Sequence, residues 1–166
     1  MSAIVVYRGI SIIRERAVAE HPPAGLRLNS ATYNTILAHL RAWSPNEGCG
    51  LLATTFEPDG NAERVAQFYP GSNLHRSPTS FEMDPKEVVA ALKEIEARGW
   101  RLGAIVHSHP TTAAKPSQTD LRQAYYPGAL MVIVSLQEDT PVVRAWQVSM
   151  SEEMVHVVGE APVIVD

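Results

Sequence analysis

Two capped amphipathic helices set among short apolar runs leave this chain little choice but a mixed α/β fold. Asn29 or Ser30 caps the first, Tyr33, Ile36, Leu37 and Leu40 fall on one face, and Ser44-Pro45 stops it. The second opens at Asp84-Pro85-x-Glu87, which joins an N-cap to a proline at the first helical position and an acid at the third. Val88, Val89, Leu92 and Ile95 form its inward stripe, and Gly99 ends it. Residues 51–56 and 64–69 flank the turn Pro58-Asp59-Gly60-Asn61 and read as a β-hairpin. Residues 101–109 alternate as a strand, and 130–136 and 142–148 are strands joined through Glu138-Asp139-Thr140-Pro141. A short helix is predicted over 117–126, stopped by Pro127, with weak strands at 4–7, 154–158 and 163–165. The polar stretch 70–80, carrying Pro70, Gly71 and Pro78, predicts a surface loop long enough to act as a lid.

Composition narrows the class. At 166 residues and 45% hydrophobic content, folding should bury roughly 70% of the unfolded chain's surface, enough for one ordinary core without staples. No repeat, low-complexity tract or Gly/Ser linker interrupts the chain, so residues 1–166 are expected to form a single domain. With 14 Lys+Arg against 18 Asp+Glu, a net charge of −4 and no basic run longer than a pair, the footprint of a nucleic-acid binder is missing. The single Cys49 rules out an intrachain disulfide and a four-thiolate zinc site, which suits a reducing compartment. Arg8, Arg14, Glu15 and Arg16 break up the N-terminal apolar stretches, so a signal peptide is not expected. The longest apolar run, around 128–136, falls far short of the ~20 residues of a spanning helix. The expectation is a cytoplasmic protein with neither membrane nor nucleic-acid partners.

The chemistry concentrates in residues 107–120, HSHPTTAAKPSQTD. Side chains at i and i+2 of a strand leave the same face about 7 Å apart at Cα, so His107 and His109 can aim ring nitrogens at one ion. Zinc takes imidazole nitrogen at about 2.0–2.1 Å and carboxylate oxygen as a further ligand, and a catalytic site keeps a position for water. Asp120, in the first turn of the next helix, can supply the oxygen. Ser117-x-x-Asp120 is equally a capping box with nothing catalytic about it. Other uses of paired histidines fail on what is absent. Zinc deaminases need a glutamate where His109 stands, and a Pro-Cys-x-x-Cys. A barrel hydrolase needs roughly 200 residues or more, and no His-Glu-x-x-His occurs.

With these residues in view, the chain resembles the JAMM, or MPN-plus, zinc isopeptidases. Their motif is a distant glutamate, then His-x-His-Pro, six residues, Ser, two residues and Asp. Here His107-Ser108-His109-Pro110 is followed by residues 111–116, Ser117, Gln118-Thr119 and Asp120, so every spacing matches. Glu47-Gly48-Cys49-Gly50-Leu51-Leu52 resembles the family's Glu-x-x-Gly-Leu-Leu segment, and the likeness runs from about 26 to 148, through Asn73 and Phe81-x-Met83-x-Pro85. The resemblance implies a three-layer α/β/α sandwich with a mixed, deaminase-like sheet. It implies that His107, His109 and Asp120 hold Zn2+, that Glu47 is the general base, and that Ser117 stabilises the tetrahedral oxyanion. It implies hydrolysis of an amide bond after the Gly-Gly tail of a ubiquitin-like protein. The short length and the Glu-Gly-Cys-Gly segment look most like the bacterial branch, of the Mec type, whose members release cysteine from a ubiquitin-like sulfur carrier. An isopeptidase removing ubiquitin-like modifiers from lysine is the alternative enzyme. A metal-free scaffold of the same fold is the non-catalytic one, and a homodimer is left open.

Several residues invite over-reading. Cys49 is expected as a small buried side chain, His75 as a solvated loop residue, and Trp43, Trp100 and Trp146 as core packing. His21, His39 and His156 have no partner that the sequence identifies.

Overall fold

A computed structural model describes residues 5–7, 10–12, 21–57, 60–124, 126, 128–151 and 154–166. Strands β1 (Val5–Tyr7) and β2 (Ile10–Ile12) pair antiparallel as a separate two-stranded sheet. The main sheet has eight strands in the order β10-β3-β5-β4-β6-β7-β8-β9. It contains β3 (Leu26–Leu28), β4 (Cys49–Thr54), β5 (Glu63–Gly71), β6 (Arg101–His109), β7 (Leu130–Ser135), β8 (Val142–Ser151), β9 (Met154–Ala161) and β10 (Val163–Val165). Pairing is parallel at β10-β3, β3-β5 and β6-β7 and antiparallel elsewhere, so the sheet is mixed as expected.

Alternation along the central strands sorts the helices onto two faces. Leu52, Ala104, Val106, Leu130, Val132 and Val134 meet Ile36, Leu37 and Leu40 of α1 (Ser30–Trp43). On the opposite face Leu51, Ala53 and Leu102 meet Val88, Ala91, Leu92 and Ile95 of α2 (Pro85–Ala97). Beside them Met131 and Ile133 pack under Leu121 of α3 (Gln118–Arg122). The result is the expected three-layer arrangement, with β4, β6 and β7 buried along their whole length or nearly so. The caps are also as read: Asn29 accepts from Thr32 N–H, Asp84 accepts from Lys86 N–H, and Gly99, at φ +70°, takes the left-handed conformation that follows a helix.

Other elements differ from the sequence reading. α3 is only five residues long, because Gln123 already leaves helical geometry; Tyr125 and Pro127, which were expected to extend and stop it, lie outside the described residues. Ile4, Arg8, Arg14, Glu15, Arg16 and the turn residues Pro58 and Asp59 lie outside them too. β5 continues through Pro70, opposite Gly50. A proline is tolerated there because β3 pairs with β5 only at Glu63 and Arg64, leaving that side of Pro70 without a ladder partner. β2 and β3, three residues each, were too short for periodicity to reveal. The C-terminal tail is integral: β10 runs parallel to β3, and Asp166 carbonyl accepts from Ser30 N–H at the mouth of α1. Among the described residues no helix is long and apolar enough to cross a membrane.

The stretch predicted as a surface loop is one from residue 72 on, and it is braced from within. Asn73 is 1% exposed and bridges to Met83, Leu74 N–H donates to Glu82 carbonyl at 2.7 Å, and Asp84 N–H donates to Ser72 carbonyl at 3.0 Å. The acid at the third position of α2 does not return to its own cap. Glu87 accepts from the Ser72 N–H at 2.7 Å and the Ser72 hydroxyl at 2.8 Å. Leu74, Arg76, Pro78 and Thr79 are exposed, as a polar loop implies, while the buried Asn73 satisfies its polar groups internally.

Candidate metal centre

The buried strand β6 delivers His107 and His109 to one face, that of α2 and α3, at the end where the chain leaves the sheet. Their Nε2 atoms lie 3.2 Å apart. Asp120 closes the group, with Oδ1 3.1 Å from His107 Nε2 and Oδ2 3.1 Å from His109 Nε2. One ligand atom from each of the three residues lies within 4.8 Å of the others, and all three side chains are buried. Donor atoms about 2.0–2.1 Å from one ion sit roughly 3.3–3.4 Å apart at tetrahedral corners, close to these separations. Two imidazole nitrogens and a carboxylate converging at such distances away from solvent are compatible with a metal site.

Neighbours fix each donor. His109 Nδ1 lies 2.8 Å from the Ala113 carbonyl, which can only accept, so Nδ1 carries a proton and Nε2 is the nitrogen turned to Asp120 and the place a cation would take. The carbonyls on either side are also held: Ser135 hydroxyl donates to Thr112 carbonyl at 2.6 Å and Trp146 Nε1 donates to Ala114 carbonyl at 3.0 Å. The His107 ring lies against Phe81, stacked at 4.8 Å between centroids with 27° between planes. Asp120 is held by its own helix start. Its Oδ2 accepts from Ser117 N–H at 2.8 Å while Ser117 Oγ accepts from Asp120 N–H at 3.0 Å. The capping box and the carboxylate facing both histidines therefore coexist in one residue.

Electrostatics follow from that geometry. Burial works to raise the Asp120 carboxyl, but hydrogen bonds from His107 and His109, then the charge of His107 and the Ser117 N–H, hold it far below the usual carboxylate range. Burial likewise opposes a charge on His109, yet hydrogen bonds to Asp120 and Ala113 and the charges of Asp120 and Glu47 raise it above its ordinary value.

Glu47 is 3% exposed, with Oε2 making no hydrogen bond. Burial first, and the Asp120 charge second, push its carboxyl up to about 8 against the pull of His109. It is therefore not the exposed loop glutamate that an arbitrary sequence position would give. Its backbone is tied on both sides: its N–H donates to Ser77 carbonyl at 2.8 Å and its carbonyl accepts from Asn73 Nδ2 at 2.9 Å. The glycines beside it permit this packing. A Cβ at Gly48 would press on Leu40 of α1, and one at Gly50 would overlap the Phe68 ring.

Next to His107 and Asp120 a cavity of about 90 Å3 opens between α2 and α3, walled by Phe81, Met83, Ile105 and Met131. Cys49 is buried, as expected, and burial pushes its thiol up to about 12, away from nucleophilic use. Three residues gain roles that the sequence did not assign. His39 Nε2 lies 2.9 Å from Cys49 carbonyl, His75 pairs with Glu82 at 3.0 Å, and Trp146 anchors the loop after His109. For Phe81 the signal was its place in the stretch resembling the JAMM enzymes; for Ala113 and Trp146 there was none, since a backbone acceptor has no residue type.

Known proteins share the sequence and the fold of this chain. The family model described as prokaryotic homologs of the JAB domain matches residues 29–149. The CysO-cysteine peptidase of Mycobacterium tuberculosis is 34% identical over 131 residues, which cover 76% of this chain and 87% of that protein. The desampylase of Haloferax volcanii is 36% identical over 115 residues, 66% of this chain and 80% of its own. A solution structure of a protein from Desulfitobacterium hafniense superposes with a TM-score of 0.71 at 35% identity, covering 85% of this chain and 92% of the other.

Proposed function

Because the chain belongs to the prokaryotic JAB family, we propose that it is a zinc-dependent peptidase that hydrolyses the amide bond following the C-terminal tail of a ubiquitin-like sulfur-carrier protein. The observation that carries the reading is the convergence of His107, His109 and Asp120 beside a buried carboxyl, Glu47, whose charge couples to two of them. His107 Nε2, His109 Nε2 and an Asp120 carboxylate oxygen would hold the ion. Bound there, zinc supplies a water acidified to a pKa of about 7 and a Lewis acid for the amide carbonyl.

The protein's own groups do the rest. Glu47 Oε2, free of hydrogen bonds, takes the proton of the attacking water and returns it to the leaving amine, a contribution of typically about 10²–10⁴-fold. Ser117 Oγ already accepts from Asp120 N–H, which orients the hydroxyl so that its own proton is available to the developing oxyanion. The Ala113 carbonyl keeps His109 in the tautomer that presents Nε2. Burial of Glu47, His107, His109 and Asp120 strengthens the electrostatic interactions among them by excluding water.

The substrate follows from the relatives and from the site's confinement. One relative is named for CysO-cysteine, a carrier conjugate, and another is named a desampylase. An extended tail ending in Gly-Gly can thread to a buried site where bulkier residues cannot. Removal of a modifier from lysine is the second reading, favoured by the desampylase relative. A metal-free scaffold is disfavoured by the intact triad.

Incubation with a ubiquitin-like carrier ending in Gly-Gly-Cys, beside the same carrier linked to a lysine side chain, separates these readings by mass spectrometry of the products. Release of cysteine alone supports the carrier peptidase. Release from lysine alone supports the isopeptidase, and no release from either supports the scaffold.

A further inference from the structure

We infer that Asn73 is a positioning residue whose carboxamide sets both the backbone of Glu47 and the Phe81 ring that lies on His107. For its kinetic consequences this rests on the peptidase reading; the placement itself does not.

The side chain is 1% exposed and uses its whole hydrogen-bonding capacity. Nδ2 donates to Glu47 carbonyl at 2.9 Å and to Ser80 carbonyl at 3.0 Å. Oδ1 accepts from His75 N–H at 3.0 Å and from Glu82 N–H at 3.1 Å. Turning the amide over would set oxygen against two carbonyls and nitrogen against two N–H groups, so a single orientation is allowed. The partners are telling. One is the main chain of the proposed general base, and two, Ser80 and Glu82, flank Phe81. A second tie, Glu47 N–H to Ser77 carbonyl, joins the same loop to the base from the other side.

The ends of the loop are fastened without Asn73. Leu74 pairs with Glu82, Asp84 N–H reaches Ser72 carbonyl, and Ser72 is gripped by Glu87 of α2. Losing the amide therefore leaves the loop attached to α2 and frees its middle, which is where Glu47 and Phe81 are held. The three proposed ligands keep supports of their own in β6, Ala113 and Ser117. Misplacing a catalytic group by 1 Å can cost about 10²-fold in rate.

The test uses the full-length chain loaded with zinc. Asn73→Asp keeps an oxygen to accept from His75 and Glu82 and removes both donated bonds; Asn73→Ala removes all four, and the aspartate variant stands in if alanine does not fold. Ile95→Ala, in the α2 core, serves as a control for lost stability. Amide exchange at Glu47, the NMR shift of the His107 ring protons under Phe81, zinc content and cleavage kinetics are read together. The expected result is one zinc per chain, faster exchange at Glu47, a moved His107 ring signal, and kcat lowered about 100-fold with KM changed by no more than about threefold. Unaltered exchange and ring shift in Asn73→Asp would overturn the inference, as would an equal fall in kcat for Ile95→Ala. If the wild-type protein cleaves no carrier conjugate, the peptidase reading fails, and the exchange and ring-shift measurements still decide the role of Asn73.

Discussion

Gly48 and Ser108 bond to each other twice: Gly48 N–H donates to Ser108 Oγ at 2.8 Å, and Ser108 N–H donates to Gly48 carbonyl at 3.0 Å. Ser108 stands between His107 and His109, and Gly48 follows Glu47, so this reciprocal pair welds the acid's strand entry to the histidine strand. Register continues it, with Cys49 opposite His107. Two segments about sixty positions apart in the chain are thereby brought to one site.

Ser108→Ala removes the acceptor of a buried N–H. An orphaned buried donor costs about 1–3 kcal/mol, so the urea midpoint should fall accordingly. Cleavage should fall as well, because Glu47 loses one of its anchors. A variant as stable and as active as wild type would show that the weld is dispensable.

Removing the ion should destabilise the protein, since the triad exists only in the folded chain. At a free zinc concentration of 100 Kd, binding adds about 2.7 kcal/mol, which for a domain of this length corresponds to roughly 5–10 °C in Tm. Calorimetry with and without chelator measures the shift. His107→Ala should melt at one temperature under both conditions.

The Glu47 carboxyl, pushed up to about 8 by burial and by Asp120, gives a signed pH dependence. The fold favours its neutral form, so its contribution to stability is fully present below the ordinary value near 4.5 and is lost as pH rises through about 8. Chelated wild type should therefore weaken between pH 5 and 8 relative to Glu47→Gln, as read from urea midpoints at about those values. Zinc should reduce the difference, because a nearby cation favours the carboxylate. Asp120, held far below its ordinary 3.8, acts in the opposite sense and only in acid, its contribution being lost as pH falls below that value. Parallel pH profiles for the two proteins would contradict the assigned environment of Glu47.

Trp146→Phe keeps an aromatic ring and deletes the N–H that holds Ala114 carbonyl, next to the carbonyl that orients His109. Disturbing such support of a metal-bound histidine typically weakens affinity by about 10-fold or more. Competition against a zinc-sensitive dye should reveal it with little change in Tm. Unchanged affinity would mean that the loop holds His109 without the tryptophan.

The sequence made the site's donors legible because each depends on local spacing. His107 and His109 share a strand face, and Asp120 sits one turn into a helix whose cap, Ser117, is visible in the same motif. The two long helices were equally readable from caps and stripes. What stayed hidden was decided by contacts between distant segments. Residues 72–80 are the surface loop that polar residues and a proline suggest, but nothing local told that Asn73 would turn inward and spend every hydrogen bond there. Glu87 looked like half of a capping box and instead grips Ser72, fifteen positions back. β3 shows no pattern in three residues and exists as a strand because β10 and β5 flank it.

The most direct measurement is the cleavage rate of Glu47→Gln on a carrier conjugate, taken on protein whose zinc content is determined in the same sample. The account predicts one zinc per chain, as in wild type, and a rate lower by at least about 10²-fold, because the ligands are intact and only the proton acceptor is gone. Wild-type cleavage by that variant, or loss of its zinc, would contradict it.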